Sequence, residues 1–150
     1  MANERLYTSR RSGIATAMAD KIAKIDGRGL YYQSIAETSP RLKFWDEIEE
    51  FPAVHLNAGR EAREYLTGGV KNRFLTVTLR CYVNEEDAVN ALDALLEDVE
   101  TVLEDNSSMT YTDKLGVSQG IQQITVLSID TDEGVLEPMG VAEMVAEVRY

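Results

Sequence analysis

The chain has 150 residues, of which 44% are hydrophobic and 27% charged, and its formal net charge is −11. Its length predicts one domain over residues 1–150 with a sizeable core, and its composition excludes a disordered or collagen-like protein. The acidic balance argues against direct nucleic-acid binding, which requires a dense field of Lys and Arg.

The start of the chain carries no predicted targeting segment. Residues 1–13, MANERLYTSRRSG, lack the apolar core of a secretory signal. No apolar run elsewhere approaches the roughly 18 residues that a membrane span needs. We therefore expect a protein that is cytosolic when it is made and has no membrane partner.

The first predicted element is an amphipathic helix over residues 8–26. Thr8 or Ser9 can cap its start, and the glycines of DGRG, residues 26–29, are expected to stop it. Its apolar residues recur every three or four positions, as one face of a helix requires: Ile14, Met18, Ile22 and Ile25.

A long ordered connection is predicted next, over residues 30–50, with a short strand at 29–35. Four aromatic residues lie here: Tyr31, Tyr32, Phe44 and Trp45. The favoured interpretation is that they pack against the core. The alternative is a partner-facing patch, because Trp and Tyr are preferred anchors at interfaces.

Two strands and a polar excursion follow. FPAVHLNAG, residues 51–59, predicts a short strand whose proline suits a strand start or edge. Residues 60–72, REAREYLTGGVKN, contain a Gly-Gly turn signal and predict a hairpin arm or a mobile loop. Residues 74–83 alternate as a half-buried strand does, with one apolar side: Leu75, Val77, Leu79, Cys81 and Val83.

The most regular predicted helix comes directly after this strand. Asn84 is the expected N-cap, and the acids at 85–87 are expected in the first turn. The predicted buried stripe is Ala88, Leu92, Leu95, Val99, Val102 and Leu103. We call the opposite side the acidic strip and define it as Asp93, Glu97, Glu100 and Glu104. Each like-charge pair at this spacing destabilises a helix by about 0.2–0.5 kcal/mol.

The rest of the chain predicts a polar loop at 106–120 and strands at 121–131 and 141–150, joined as an antiparallel hairpin. The order of elements predicts an α+β fold: a two-layer sandwich in which two helices pack on one face of a largely antiparallel or mixed sheet. The other sheet face is expected to be polar: Thr76, Thr78, Arg80, Glu143 and Glu147.

Charge is divided unevenly along the chain. Residues 1–80 contain 13 basic and 10 acidic residues, a net charge of +3, whereas residues 81–150 contain 2 basic and 16 acidic residues, a net charge of −14. A difference of this kind within one folded unit can steer protein subunits into register.

The acidic strip therefore has two interpretations. It is either a solvated face that keeps the protein soluble, or an interface that meets basic residues of a neighbouring subunit. For the second, the predicted contact residues outside the strip are Arg10, Arg11, Arg60, Arg63, Tyr65, Lys71 and Arg73. A salt dependence of association distinguishes the two interpretations.

No catalytic, cofactor or metal site is predicted. His55 and Cys81 are the only residues of their types. His55 lies between apolar neighbours and is favoured as a buried sheet residue, and Cys81 is favoured as a small buried hydrophobe. DTDEG, residues 130–134, lacks the later ligands of a calcium loop. We therefore expect a protein that is not an enzyme and needs no cofactor.

The order of these features resembles the tail terminator (lambda minor tail protein U-like) family of long-tailed bacteriophages. The resemblance covers residues 51–150. Its motifs are the FPAVHLNAG strand, the polar arm, RFLTVTLRCYV followed by the acidic helix EEDAVNALDALLEDVETVL, and the closing IDTDEG and AEMVAEVRY segments.

This resemblance implies a structural virion protein that is assembled in the host cytoplasm and located in the virion tail. It would form a homo-hexameric ring on the tail tube protein, stop tube polymerisation and offer a surface to the head completion or connector protein. The alternative is a small acidic binding module, such as a tail-assembly chaperone, a head–tail connector component or a host-directed inhibitor.

Overall fold

A computed structural model describes residues 8–150. Residues 1–7, the first part of the segment in which no secretory signal is predicted, lie outside the described residues. The regular elements, in chain order, are α1 (Arg10–Ile22), β1 (Glu37–Ser39), β2 (Ala53–Tyr65), β3 (Lys71–Asn84), α2 (Ala88–Asp105), β4 (Thr110–Thr112), β5 (Ser118–Gly120), β6 (Gln123–Thr131) and β7 (Met139–Arg149). Two short 3₁₀ turns occupy Trp45–Glu47 and Thr67–Gly69.

Five strands form a mixed sheet in the order β1-β2-β3-β7-β6. β1 runs parallel to β2, and every other neighbouring pair in this sheet is antiparallel. α1 and α2 pack on one face of the sheet and share one apolar core with it. The predicted α+β sandwich is therefore confirmed.

The core follows the predicted periodicities. All four residues of the α1 stripe and all six of the α2 stripe are buried, as is the alternating apolar side of β3. β7 adds its own alternating set from the next position in the sheet: Ala142, Met144, Ala146 and Val148. Because the side chains of a strand point alternately to the two faces, these residues all meet the helices on one side.

α1 begins where the sequence predicts but ends earlier. The hydroxyl of Ser9 accepts a hydrogen bond of 3.1 Å from the backbone N–H of Ser12 and caps the helix. The helix ends at Ile22, not at residue 26, because the N–H groups of Lys24 and Ile25 bond three residues back and not four. This tighter turn keeps Ile25 on the buried side, so the apolar spacing continues beyond the helix.

Three predicted boundaries are wrong. The short strand lies at Glu37–Ser39 and not at 29–35, and the FPAVHLNAG strand continues through residues 60–65, the first part of the arm, as one strand, β2. The polar loop at 106–120 contains the β4–β5 hairpin, which packs on α1. Gly13 permits this contact, because a Cβ there would lie 2.7 Å from the carbonyl oxygen of Thr112.

The predicted start of α2 is also wrong. Asn84 is the last residue of β3 and pairs with Met139 of β7, and the N–H of Glu85 bonds to the carbonyl of Pro138 at 3.0 Å. Because of these contacts, the chain stays in the sheet through Asn84, although the local capping signal predicts that a helix begins there. Asp87 caps the helix instead, so the acids at 85–87 precede the first turn.

The outer face of the sheet is only partly polar. Its predicted polar residues are half-exposed, and Arg80 lies 3.3 Å from the carboxylate of Glu143. Elsewhere, residues 43–51 cover the face with a second small apolar cluster around Tyr82, whose hydroxyl donates a 2.6 Å hydrogen bond to the carbonyl of Lys43. Alternation along β3 alone could not predict this cover.

Leu79 tests the shared core, because it lies at the centre of β3 with no exposed surface. Leu79→Ala is expected to lower the free energy of unfolding by about 2–5 kcal/mol through lost burial and a residual cavity. Chemical denaturation measures this change. The control is Leu127→Ala on β6, where the side chain is 53% exposed and the expected loss is below about 1 kcal/mol. Equal losses at both positions would contradict the packing described.

Candidate subunit interface

The arm predicted from the sequence is the projecting end of the β2–β3 hairpin. On the β7 side, pairing with β3 ends at Arg73, which exchanges two backbone hydrogen bonds with Tyr150, whereas β2 continues to pair with β3 to Tyr65 and Lys71. Two residue pairs at roughly 3.4 Å each, with the turn that joins them, therefore carry the arm at least about 7 Å beyond the neighbouring strand. A two-stranded hairpin is marginally stable by itself in water, so the arm needs support at its base.

That support comes from α1 and from the end of the chain. The guanidinium of Arg11 donates hydrogen bonds to the carbonyls of Ala58, at 3.2 Å, and Gly59. The carboxylate of Glu61 accepts from the hydroxyl of Tyr150 and from Arg63. Burial and the neighbouring Glu61 raise the pKa of Tyr150 to about 12. Tyr150 therefore stays protonated and can keep donating at neutral pH.

The predicted basic residues of the arm lie on its surface, and some of them also contact an aromatic ring. Arg60 and Lys71 are exposed, and the ammonium of Lys71 lies 5.5 Å from the centre of the Tyr65 ring. Arg73 lies at the same distance over the ring of Tyr150. Of the two α1 residues, Arg10 is exposed, whereas Arg11 is used within its own chain and positions the arm.

The acidic strip occupies the side of α2 opposite the core. Asp93, Glu97 and Glu104 are exposed and Glu100 is half-exposed. None of these carboxylates forms an ion pair within residues 8–150. The arm and the strip are therefore two surfaces of opposite sign that are not joined to each other by an ion pair in the described part of the chain. Their role as an interface stays a prediction.

Most of the aromatic residues in the long connection are displayed to solvent. Tyr31 packs partly against the core, but Tyr32, Phe44 and Trp45 are each about two-thirds exposed, at 66%, 66% and 64%. The favoured expectation of core packing is thus wrong for three of the four. Ile48 and Phe51, which follow Phe44 and Trp45 in the chain, pack against the outer face of the sheet instead.

Glu37 holds this connection in place. Its carboxylate accepts hydrogen bonds from the ammonium of Lys43 at 2.8 Å and from the backbone N–H groups of Glu49 and Glu50 at 3.1 Å. Burial opposes ionisation, but these donors outweigh it and lower the pKa of Glu37 to about 2. Glu37 is therefore fully ionised at neutral pH and fixes the segment that presents Trp45.

His55 lies beside this carboxylate. It is fully buried on β2, as predicted, and its Nδ1 lies 2.7 Å from the hydroxyl of Ser39. Nε2 lies 3.2 Å from Glu37, outside hydrogen-bond geometry. Burial lowers the pKa of His55, although Glu37 opposes the shift. The lowered pKa favours a neutral ring.

Cys81 is also buried, and burial raises the pKa of its thiol to about 12. Cys81 is therefore a buried hydrophobe, as predicted.

Asp98 is a structural residue that the sequence reading missed. Its side chain is buried on α2 and accepts hydrogen bonds from the backbone N–H groups of Tyr32, at 2.9 Å, and Gln33, at 2.8 Å. A signal was present, because Asp98 follows Leu95 by three positions and precedes Val102 by four, which puts it on the buried stripe. An acid at such a position requires donors from elsewhere in the fold.

Within residues 8–150, no three His, Cys, Asp or Glu side chains come together as a metal site. Neither of the two described helices is long and apolar enough to cross a membrane. The distinctive surfaces are the arm, the acidic strip and the displayed aromatic residues, all of which suit contacts between proteins.

Comparison with known proteins decides the family. The family model described as Bacteriophage Tail Tube Terminator Protein matches residues 8–150. The chain belongs to this family. It is 34% identical over 149 residues to the "Tail tube terminator protein p142" of Escherichia phage T5, with 93% of this chain and 92% of that protein covered. The predicted family resemblance is thereby confirmed.

A solved structure supports the same fold at low identity. A chain from "Virion of native gene transfer agent (GTA) particle" matches with a TM-score of 0.56 and 10% identity, covering 96% of this chain and 98% of that one. Such identity shows the fold alone. With the family match, the tail terminator is a virion structural protein located in the phage tail, and membership of a structural family favours a non-catalytic role.

The Asp98 anchor gives a first test. Asp98→Ala leaves two backbone N–H groups of the connection without their acceptor, so the free energy of unfolding is expected to fall by about 1–3 kcal/mol. The control, Asp93→Ala on the exposed side of the same helix, is expected to change it by less than about 0.5 kcal/mol. Urea denaturation compares the two variants, and equal effects would show that Asp98 does not anchor the connection.

Glu37 gives a second test through pH. Since its pKa is about 2 in the folded protein and 4.5 is its ordinary value, its ionised form stabilises the fold above about pH 4.5, and this contribution is lost as the pH falls toward 2. Glu37→Gln should therefore destabilise the protein at pH 7, and the difference from wild type should shrink between pH 4.5 and 2. Denaturation at several pH values measures it. Glu104→Gln, at an exposed carboxylate, is the control, and a pH-independent difference for Glu37→Gln would refute the assignment.

Proposed function

We propose that copies of this tail terminator form a ring, most simply a homo-hexamer, that caps the tail tube. The ring would stop polymerisation of the tube protein and offer a surface to the head completion or connector protein. Family membership supports the tube as partner. The hexamer and the head contact rest on the resemblance to tail terminators.

The observation that carries the proposal is the presence of two unlike, oppositely charged surfaces on one chain. The arm projects beyond the sheet with exposed basic residues, and the acidic strip runs along α2 with exposed carboxylates. When one patch of a subunit meets a different patch on the next copy, the contact is heterologous and closes into a ring if the rotation permits. Two identical patches would instead favour a dimer.

The residues proposed for this contact are those predicted from the sequence, with one change of role. Arg10, Arg60, Arg63, Lys71 and Arg73, with Tyr65, would face the acidic strip of the neighbouring copy. Arg63 would do so while bonded to Glu61, and Arg11 would act indirectly by holding the base of the arm. Exposed ion pairs contribute little individually, about 0–1 kcal/mol each, so we expect them to set orientation and rate more than affinity.

Light scattering after size exclusion, with and without purified tail tubes, tests the ring directly. A ring of defined size, free or formed on tubes, is expected, and negative-stain images should show it at tube ends. Particles that stay monomeric or dimeric under both conditions would support the alternative of a small acidic binding module.

Charge reversal tests the strip. Glu97→Lys with Glu100→Lys is expected to weaken self-association or tube capping, because like charges would then meet across the contact. Lys71→Glu with Arg73→Glu in the partner copy should restore part of the loss. Light scattering and tube-capping counts at low and high salt measure both effects, since salt screens exposed charges.

A matched control separates the contact from net charge. Asp20→Lys with Asp26→Lys changes the charge equally at exposed positions outside the arm and the strip, and ring formation should be unaffected. If the Glu97 and Glu100 variant also assembles normally, the strip is only a solvated face.

A further inference from the structure

A shallow apolar groove lies where β7 begins, at the end of the sheet opposite the arm. Its volume is about 230 Å³, and its lining residues are Trp45, Leu136, Met139 and Val141. Trp45 is 64% exposed and Leu136 is 50% exposed. Trp and large aliphatic side chains displayed together mark a contact site on a soluble protein.

The rim of the groove is acidic. Asp46 and Glu47 directly follow Trp45, and Glu137 directly follows Leu136; all three are exposed. Residues 44–50 and 130–139 each contain four acids and no base. The occupant that fits this site therefore has an apolar centre with positive charges beside it.

The tip of the arm has this character. Tyr65, Leu66 and Val70 are 65%, 45% and 54% exposed. Lys71 directly follows Val70, and Arg73 lies two residues further on, whereas Glu64 separates Tyr65 from Arg63, which is paired with Glu61. The N–H of Leu66 bonds to the carbonyl of Val70 at 2.8 Å, so the tip is a closed turn. Its apolar residues have little to pack against beyond the end of β7.

The arm cannot reach the groove of its own chain. β3 begins in the arm at Lys71 and ends at Asn84, which pairs with Met139 of the groove. Fourteen strand residues at roughly 3.3 Å each separate the two sites by about 40 Å or more. The tip and the groove can therefore meet only between different copies.

We propose that the arm tip of one subunit docks in the groove of the next, with Leu66 against Trp45 and Leu136. This inference rests on the proposed ring and names its contact. The loop that carries Leu136 also contacts the start of α2, because a Cβ at Gly134 would lie 3.0 Å from Val89, one helical turn before Asp93. The groove therefore lies at the end of the molecule where α2, and with it the acidic strip, begins.

Disulfide mapping tests the contact, and the chain is suited to it because its single cysteine, Cys81, is fully buried. The variants Leu66→Cys and Leu136→Cys are mixed in equal amounts, free and on tail tubes, and mildly oxidised. A covalent dimer is expected from the mixture and from neither variant alone. Leu115→Cys, at a leucine that is 77% exposed on another loop, replaces Leu136→Cys as the control.

A second variant reports on affinity. Leu66→Asp should weaken self-association at least about tenfold, as loss of an anchor residue does, whereas Leu115→Asp should leave it unchanged. Circular dichroism checks that both variants are folded.

The outcomes separate this inference from the proposed function. Rings that form without the Leu66–Leu136 link, or with as much link to Leu115, would overturn the docking and leave the ring standing. Absence of any ring, free or on tubes, would overturn both.

Discussion

The structure depends on the unequal pairing of β3. Over most of its length this strand is paired on both sides and supplies the centre of the core, but pairing on the β7 side ends at Arg73 while β2 continues to Lys71. One strand therefore belongs to the rigid sheet at one end and to a projecting arm at the other. The arm inherits a fixed direction from the sheet, which is the condition for an element that is to meet another protein at a defined angle.

Hydrogen bonds between charged side chains and backbone groups position the segments that strand pairing alone does not fix. Asp98 binds the connection after α1, Glu37 binds the segment before β2, and Arg11 binds the base of the arm. In each case a charged group satisfies donors or acceptors of an irregular segment, and such charge-assisted bonds are stronger than neutral ones. The segment that presents Trp45 is thus held in place although it lies outside the sheet, and the arm is held at the irregularity in β2 near its base.

The charge pattern agrees with a protein that acts through contact. The acids of α2 oppose each other along one side and receive no bases from their own chain within the described residues, so they cost local stability. A chain tolerates such a cost where solubility or partner choice requires it.

The sequence by itself determined the elements whose signals are local: the periodic faces of α1, α2, β3 and β7, the Gly-Gly turn of the arm, and the ordered motifs of the family. Only the tertiary structure decided where α2 begins, that residues 43–51 cover the outer sheet face, and that Trp45 and Leu136 share a groove. The physical reason is that periodicity reports which side of an element is buried, whereas pairing with β7 and the anchors Asp98 and Glu37 join residues far apart in the chain. No local pattern records those long-range contacts.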